Sequence, residues 1–343
     1  RALLGRVLDG FGNPLDGTAV VGAPHVPVDA DPPNALLRRP VNRICETRIR
    51  AIDALLTVGR GQRLGLFAPV GAGKTTLIGM LARGARADVN VIALIGERGR
   101  EVNEFLTQIL GPAGLQRSVV VVATSDRSAV ERAKCAAVAT AIAEGFRREG
   151  LHVLLLMDSL TRYARALREI GLASGEAPTR RGFPPSVFAA LPKLVERAGS
   201  DDRGAMTAFY TMLVEGEDDS DPIAEEVRSL LDGHLNLSRA LAQAHRFPAI
   251  DVLGSLSRVM PAIASVPQQR AAAKVRGWLA KHRDIELLLQ MGEYRKGADV
   301  EADEAIAHMP AIRQFLEQPP DEFHAAQATC AALLKLVGSS DGE

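Results

Sequence analysis

Short uninterrupted apolar runs alternate along most of the chain with longer segments in which apolar residues recur every three or four positions. Runs without a polar interruption are typical of strands that are buried on both faces of a parallel sheet. The longer segments, such as the alanine-rich residues 128–148, predict helices. Strands that alternate with helices indicate an α/β fold with right-handed crossovers. The predicted strands are residues 64–67, 89–96, 118–124, 151–157, 207–214 and 235–238.

The beginning of the chain has a different pattern. Residues 5–17 predict a short strand followed by turn residues, and the proline-rich residues 24–40 predict an extended linker. A short amphipathic helix is expected at residues 47–56.

The end of the chain also differs, because no strand is predicted after about residue 267. We expect an α/β domain over residues 26–266, followed by a small all-helical domain over residues 267–343. The predicted helices of the second domain are residues 268–290, 302–318 and 323–337.

A glycine-bearing loop joins the strand at residues 64–67 to the following helix. It matches the phosphate-binding pattern G-x-x-x-x-G-K-[ST], with Ala68 in place of the first glycine. We expect Ala68 to end the strand without touching phosphate. Glycines let the backbone direct N–H groups at an anion, and the helix N-terminus adds partial positive charge. The residues predicted to bind nucleotide here are Pro69, Val70, Gly71, Ala72, Gly73, Lys74, Thr75 and Thr76.

Two residues of this loop have specific predicted contacts. Lys74 supplies a positive charge to the β- and γ-phosphates, and the Thr75 hydroxyl binds Mg²⁺. We expect Lys74 to be exposed, so that its removal abolishes nucleotide turnover and leaves the fold intact.

Two acidic residues follow the ends of predicted strands, where ligands collect in open α/β sheets. Glu97 is suited to polarise the water that attacks a γ-phosphate, and Arg98 beside it to neutralise phosphate charge. Asp158 follows four apolar residues, a Walker B pattern that predicts Mg²⁺ binding, usually through water. Arg162, one helical turn later, is either a second phosphate sensor or part of a surface ion pair.

Two further residues are ambiguous on sequence alone. Arg258, in the segment SLSRVMP, is either a structural ion-pair partner or a finger that projects into the site of another subunit. Phe247, held by the proline that follows it, either stacks on a base or fills the core. The acidic run at residues 215–221 is interpreted as a solvated loop and not as a metal site.

Composition narrows the choice of partners. The chain has 41 lysine and arginine residues and 41 aspartate and glutamate residues, so its formal net charge is zero. No strong overall electrostatic field therefore favours binding to nucleic acid or to an anionic membrane. The three cysteines are far apart in sequence and suit a reducing cytosol. No apolar run approaches the roughly 20 residues of a membrane span, and no signal peptide is recognised. The chain begins at Arg1 and not at Met, so we expect a fragment of a longer protein.

Several segments together resemble one family, the type III secretion ATPases, which are related to the catalytic β-subunit of rotary ATP synthases. The resemblance runs from residue 5 to about residue 318. Residues 178–199 resemble flagellar and virulence export ATPases more than synthase subunits. The segments that carry it are GLFAPVGAGKTTL, GERGRE, residues 153–199 and residues 221–261.

The resemblance implies a P-loop NTPase (RecA-like) fold with helices on both faces of the sheet, and ATP and Mg²⁺ as ligands. Gly71, Gly73, Lys74 and Thr75 would bind phosphate and Mg²⁺. The other implied roles are catalytic glutamate for Glu97, phosphate contact for Arg98, a group near the metal for Glu101, Walker B aspartate for Asp158, arginine finger for Arg258 and adenine stacking for Phe247.

The family also implies an assembly. Members form homohexamers with sites between subunits, and this chain carries both the glutamate and the finger that one shared site needs. Residues 1–25 would be the end of an N-terminal β-barrel and the start of a linker. The loops near residues 179–185 would face the central pore. Implied partners are stalk and stator proteins and chaperone–cargo complexes, at the cytoplasmic face of the bacterial inner membrane.

Other functions stay open at this point. A rotary synthase subunit is disfavoured by residues 178–199. An RNA-dependent hexameric helicase would need a basic, aromatic-bearing surface, whereas the chain has ten Phe, three Tyr, one Trp and zero net charge, so we expect no nucleic-acid partner. A nucleotide-sensing scaffold without turnover is the third alternative.

Overall fold

A mixed β-sheet organises the molecule, seen in a computed structural model that describes residues 1–22, 25–214 and 221–338. Within these residues the strand order is β1-β4-β3-β5-β7-β2-β8-β9, with β6 beside β7. The strands are β1 Val7–Asp9, β2 Arg63–Ala68, β3 Val89–Ile95, β4 Ser118–Ala123, β5 His152–Asp158, β6 Gly199–Ser200, β7 Ala205–Leu213, β8 Gly233–Leu237 and β9 Ile250–Ser257.

Helices connect the strands and follow them. A π-helical segment at Phe105–Leu110 lies between α3 and α4, and short 3₁₀ turns occur at Ala35–Leu37 and Arg180–Gly182. The α-helices are α1 Arg50–Leu55, α2 Lys74–Gly84, α3 Gly99–Glu104, α4 Gly111–Gln116, α5 Ala129–Arg148, α6 Leu160–Ala173, α7 Pro185–Val195, α8 Pro222–Leu230, α9 Arg239–Gln243, α10 Met260–Ile263, α11 Val266–Met291, α12 Val300–Leu316 and α13 Ala326–Leu336.

The central strands alternate their side chains between two apolar cores. On β2, Leu64 and Leu66 face the core that α1, α2 and the C-terminal helices cover, while Phe67 faces the core that α5 to α8 cover. Because both faces are buried, these strands have continuous apolar sequences. The predicted α/β sheet with helices on both faces is confirmed, and its central strands pair in parallel.

The sheet is not parallel throughout. Strand β9 pairs antiparallel with β8, and β6 pairs antiparallel with β7. The apolar-run pattern did not predict β9, because it lies at the edge of the sheet and has buried, half-buried and exposed side chains in sequence.

Strand β1 pairs in parallel with β4, so Val7–Asp9 is part of the main sheet. This pairing corrects, for this strand, the implied assignment of residues 1–25 to a separate barrel. A second correction concerns α1, which is not amphipathic, because all five residues from Ala51 to Leu55 are buried. Among them, Asp53 accepts hydrogen bonds from the backbone N–H groups of Thr47 and Arg48.

The C-terminal part is helical, as expected. Side chains of α11, α12 and α13, such as Trp278, Ile312 and Leu333, share one apolar core with α1 and α2. In the described part of the chain, no helix is both long and apolar enough to cross a membrane.

The predicted acidic loop covers residues 215–221, of which residues 215–220 lie outside the described residues. Its last residue, Asp221, caps α8 by accepting the N–H of Ile223 at 2.8 Å.

A buried histidine supports the start of β5. His152 Nε2 lies 2.9 Å from Thr207 Oγ1, and its Nδ1 lies 3.2 Å from the carbonyl oxygen of Arg86. The Arg86 carbonyl only accepts, so Nδ1 carries the hydrogen and donates to it, and Nε2 of the neutral ring accepts from the Thr207 hydroxyl. The same hydroxyl oxygen accepts the N–H of Gly61. This pattern needs a neutral ring. Burial, together with the charge of Arg60, lowers the pKa of His152 to about 4.

We expect this histidine to make the fold acid-sensitive. Between about pH 6.5 and pH 4 the unfolded chain binds a proton at His152 that the folded chain excludes. The free energy of unfolding therefore decreases as the pH is lowered through this range. The contribution of one such group is at most about 1.4 kcal/mol per pH unit. Urea unfolding at several pH values should give a shallower dependence for His152→Gln. The control His25→Gln, at an exposed position, should keep the wild-type slope. Equal slopes for all three proteins would contradict the assignment.

Candidate active site

The phosphate-loop motif connects the end of β2 to the start of α2. Gly71 and Gly73 both have φ of +82°, a conformation that side chains rarely adopt. A Cβ atom at Gly73 would also lie 3.2 Å from the ring of Phe247, which therefore packs against the loop. Ala68 is the last residue of β2 and is buried, as expected. The structure thus brings the predicted aromatic residue to the predicted phosphate loop.

Lys74, the first residue of α2, contacts carboxylates from two neighbouring strands. Its Nζ lies 3.3 Å from Glu97 Oε1 and also donates to Asp158 Oδ1. Only 12% of the Lys74 side chain is exposed, so the expectation of an exposed loop lysine is wrong. Burial alone would lower the pKa of Lys74, but the charges of Asp158 and Glu97 outweigh it and raise this pKa. The ammonium therefore stays charged and neutralises part of the acidic pair.

Glu97 follows β3, after Gly96. Burial, the Asp158 charge and a hydrogen bond with Glu101 raise the pKa of Glu97, against the opposing effects of Lys74 and Arg162. A raised pKa brings a carboxylate closer to the range that suits a general base near neutral pH. Arg162 Nε lies 3.8 Å from Glu97 Oε1. Arg162 therefore forms an ion pair with the site glutamate, with 30% of its side chain exposed, and the phosphate-sensor role stays a prediction.

Glu101 and Arg98 lie at the start of α3. Arg98 Nη1 is 3.6 Å from Glu101 Oε1, and 75% of the Arg98 side chain is exposed. Burial opposes ionisation of Glu101, but its hydrogen bond with Glu97 and the Arg98 charge lower its pKa. Glu101 therefore adjoins the cluster directly, whereas Arg98 is directed to solvent. The phosphate contact predicted for Arg98 stays a prediction.

Asp158 ends β5 and is buried. Its Oδ1 accepts hydrogen bonds from Lys74 and, at 2.7 Å, from the hydroxyl of Thr211 on β7. Sequence reasoning missed Thr211, because nothing in the local pattern shows that β7 lies beside β5. Thr75 and Thr76 are exposed on the first turn of α2, with Thr75 next to Lys74.

Arg258 lies at the opposite end of the strands from the phosphate loop. It follows β9, and its N–H donates to the carbonyl of Asp232, whose carboxylate binds Arg63 at the first residue of β2. The phosphate loop begins at the other end of β2, on the order of 17 Å away for a six-residue strand. An arginine side chain cannot span that distance, so Arg258 does not reach the phosphate loop of its own chain. Its side chain is exposed.

Phe247 is connected to the helical region. Its carbonyl accepts the N–H of Gln318, which follows α12, at 2.9 Å. Gln318 is itself buried and binds the N–H of Arg50 and the carbonyl of Arg48 through its side chain. A cavity of about 940 Å³ lies beside Pro69 and Pro248 and is closed on the far side by α11 and α12. It lies outside the Lys74 cluster.

Comparisons with known proteins agree with this site. A family model described as the nucleotide-binding domain of the ATP synthase alpha/beta family matches residues 48–257, and a model of the C-terminal domain of the EscN ATPase matches residues 264–335. The chain is 59% identical over 337 residues to the type 3 secretion system ATPase of Xanthomonas euvesicatoria, covering 98% of this chain and 76% of that protein. This chain belongs to the type 3 secretion system ATPase family.

Other relatives of this ATPase support the same assignment. The flagellum-specific ATP synthase of Bacillus subtilis is 51% identical over 340 residues, with 99% of this chain and 78% of that protein covered. The assembled EscN ATPase of enteropathogenic E. coli superposes with a TM-score of 0.92 at 51% identity, with 98% of this chain and 82% of that chain covered. A prototypical ATPase of the type III secretion system of pathogenic bacteria gives a TM-score of 0.91 at 50% identity, covering 98% and 97%.

These findings confirm that the protein is an ATP-hydrolysing enzyme of this family. The match of residues 264–335 to a secretion-specific domain favours the export ATPases over a synthase subunit or an RNA helicase. The roles of individual site residues stay predictions.

The burial of Lys74 gives a prediction for the ATPase without nucleotide. Lys74→Ala leaves Asp158 buried beside Glu97 without its countercharge, so we expect the free energy of unfolding to fall by about 1–3 kcal/mol. Adding Asp158→Asn should recover much of the loss, because it removes the unpaired charge. Urea unfolding measures both effects. The control Lys193→Ala, at an exposed position of α7, should change little. An unchanged free energy of unfolding for Lys74→Ala would contradict this prediction. It would support the expectation from sequence that removal of Lys74 leaves the fold intact.

Proposed function

We propose that this ATPase hydrolyses Mg²⁺–ATP at sites shared between identical subunits of a hexameric ring, and that the hydrolysis energises protein export. The observation that carries the shared site is the separation of Arg258 from the Lys74 cluster across the length of β2. One subunit offers phosphate-binding groups at the carboxyl ends of its parallel strands and an exposed arginine at the opposite end of the strands. A neighbour is therefore needed to bring the two together.

Each residue of the cluster has a separate task in hydrolysis. The α2 N-terminus and Lys74 bind the β- and γ-phosphates, which displace Lys74 from part of its contact with the carboxylates. Glu97 orients a water molecule and takes its proton as the water oxygen bonds to the γ-phosphorus. The bond from the γ-phosphorus to the bridging oxygen breaks, giving ADP and phosphate. Arg162, adjacent to Glu97, holds this carboxylate in place.

The oxygen donors beside Lys74 fit a divalent cation. Asp158 has one carboxylate oxygen engaged by Lys74 and Thr211, and Thr75 places a hydroxyl on the first turn of α2. Mg²⁺ prefers oxygen ligands, and in nucleotide sites it takes one or two from the protein together with phosphate oxygens. Asp158 and Thr75 would hold it, with Glu101 close by. Bound there, it would neutralise charge on the β- and γ-phosphates.

Arg258 acts on the neighbouring subunit. An arginine stays charged and can bind two phosphate oxygens at once, so it stabilises the transition state more than bound ATP. Phe247, half-exposed beside Gly73, is placed to stack on the adenine.

The proposed setting follows the relatives. A structure of EscN has been obtained with its central stalk EscO, and we propose a comparable stalk contact for the C-terminal helices of this chain. Stator proteins and chaperone–cargo complexes are proposed as further partners, with the ring at the cytoplasmic face of the inner membrane.

The role of Glu97 can be tested by Glu97→Gln, which keeps the shape and removes the negative charge. We expect nucleotide affinity to survive and hydrolysis to fall by ~10² or more, the scale of a positioned base. Fluorescent-nucleotide binding and phosphate release measure the two effects separately. Glu104→Gln, an exposed carboxylate of α3 that pairs with Arg100, is the matched control and should be near normal. A loss of nucleotide binding without a separate chemical defect would show a structural role for Glu97.

The shared site is tested by mixing subunits, using a chain extended to the length of its relatives. Arg258→Ala should leave ATP affinity nearly intact and lower turnover by up to ~10³–10⁵, and Arg258→Lys should rescue poorly. Mixed rings of Arg258→Ala and Lys74→Ala subunits should recover activity, because an intact finger can face an intact phosphate loop. If mixed hexamers form and show only the sum of the two mutant activities, Arg258 does not act in the neighbour.

A further inference from the structure

We propose that Thr211 is a positioning residue for the metal side of the site: its hydroxyl fixes the Asp158 carboxylate so that the second carboxylate oxygen, Oδ2, faces the cation. This inference rests on the proposed Mg²⁺-dependent hydrolysis. The hydrogen bond of the Thr211 hydroxyl goes to Asp158, so Thr211 acts through that residue.

The order of the strands places Thr211 at this point. Strand β7 lies between β5, which ends at Asp158, and β2, which leads into the phosphate loop. Thr211 pairs with Leu66, and the preceding residue Tyr210 pairs with Met157, the residue before Asp158. Side chains alternate along a strand, so Thr211 lies on the same face of the sheet as Phe209, Leu66 and the helix α2 that carries Lys74.

The hydrogen bond has a defined direction. A carboxylate only accepts, so the Thr211 hydroxyl donates to Asp158 Oδ1 at 2.7 Å. Lys74 donates to the same oxygen. Both residues are buried, Thr211 to 1% exposure and Asp158 to 3%, so water does not compete for the bond. Two donors on one oxygen fix the rotation of a group whose terminal torsion is otherwise broad.

The second oxygen is then left for another ligand. Among the described residues, both side-chain donors to the Asp158 carboxylate bind Oδ1, and neither hydrogen bond engages Oδ2. When phosphate draws Lys74 away, Thr211 remains as the protein donor that holds Oδ1. We therefore expect the hydroxyl to affect cation affinity and to leave nucleotide affinity in the absence of a cation unchanged.

The test compares Thr211→Val, Thr211→Ala and Thr211→Ser. The probe is a fluorescent ADP analogue, with its dissociation constant measured in Mg²⁺ and in EDTA. Valine and alanine should reduce the gain in affinity that Mg²⁺ provides by about tenfold, the effect of losing one hydrogen bond to a charged group. Affinity in EDTA should not change. Serine should retain the wild-type gain. The Mg²⁺ concentration for half-maximal ATP hydrolysis should rise in parallel for valine and alanine.

A matched control separates positioning from stability. Thr140→Val removes another buried threonine hydroxyl, which donates to the carbonyl of Ala136 within α5, and should leave the Mg²⁺ effect at the wild-type value. If Thr211→Val and Thr211→Ala unfold at lower temperature but keep the full Mg²⁺ effect, Thr211 is only structural and the inference is overturned, while the proposed function stands. If the wild-type protein itself shows no Mg²⁺ effect, the proposed metal dependence fails, and the inference fails with it.

Discussion

The contact of Lys74 with two carboxylates is the interaction on which the site depends. Glu97 follows β3 and Asp158 ends the adjacent parallel strand β5, so both lie where the sheet brings the carboxyl ends of its strands together. Two buried acidic groups in such proximity repel each other and lose hydration, and a single ammonium offsets both effects. In the proposed mechanism, the charge that binds phosphate therefore also stabilises the site before nucleotide arrives. Nucleotide binding would exchange one set of negative partners of Lys74 for another.

The parallel arrangement has a further consequence for the residues around the lysine. Strand β7 separates the strand that ends at Asp158 from the strand that leads to the loop, so one of its side chains must lie between them. A threonine there supplies a donor in a place where an aliphatic residue would fill the same space without one. At the opposite end of the strands, the Arg63–Asp232 pair holds the backbone from which Arg258 projects.

Much of this arrangement was predictable from sequence, for physical reasons that differ by residue. The central strands were predicted because burial on both faces requires continuous apolar runs, and the loop with Lys74, Glu97 and Asp158 was predicted because each follows such a run. Strand β9 was not predicted, because it lies at the edge of the sheet and its side chains range from buried to exposed. The contact of Thr211 with Asp158 and the burial of Lys74 could not be predicted, because both depend on which strands become neighbours. Strand order is a property of distant pairings that local sequence does not encode.

Arg258 and the phosphate loop lie at opposite ends of the sheet's strands, so the proposed shared site gives each subunit a donor side and an acceptor side. Contacts between such sides are head-to-tail and generate either a closed ring or an open filament. With the proposed shared site, a row of n subunits that has not closed would contain n − 1 complete sites, with one unused arginine at one end and one incomplete loop at the other. Closure adds the last site without adding a subunit. Activity per subunit would therefore report on the state of assembly.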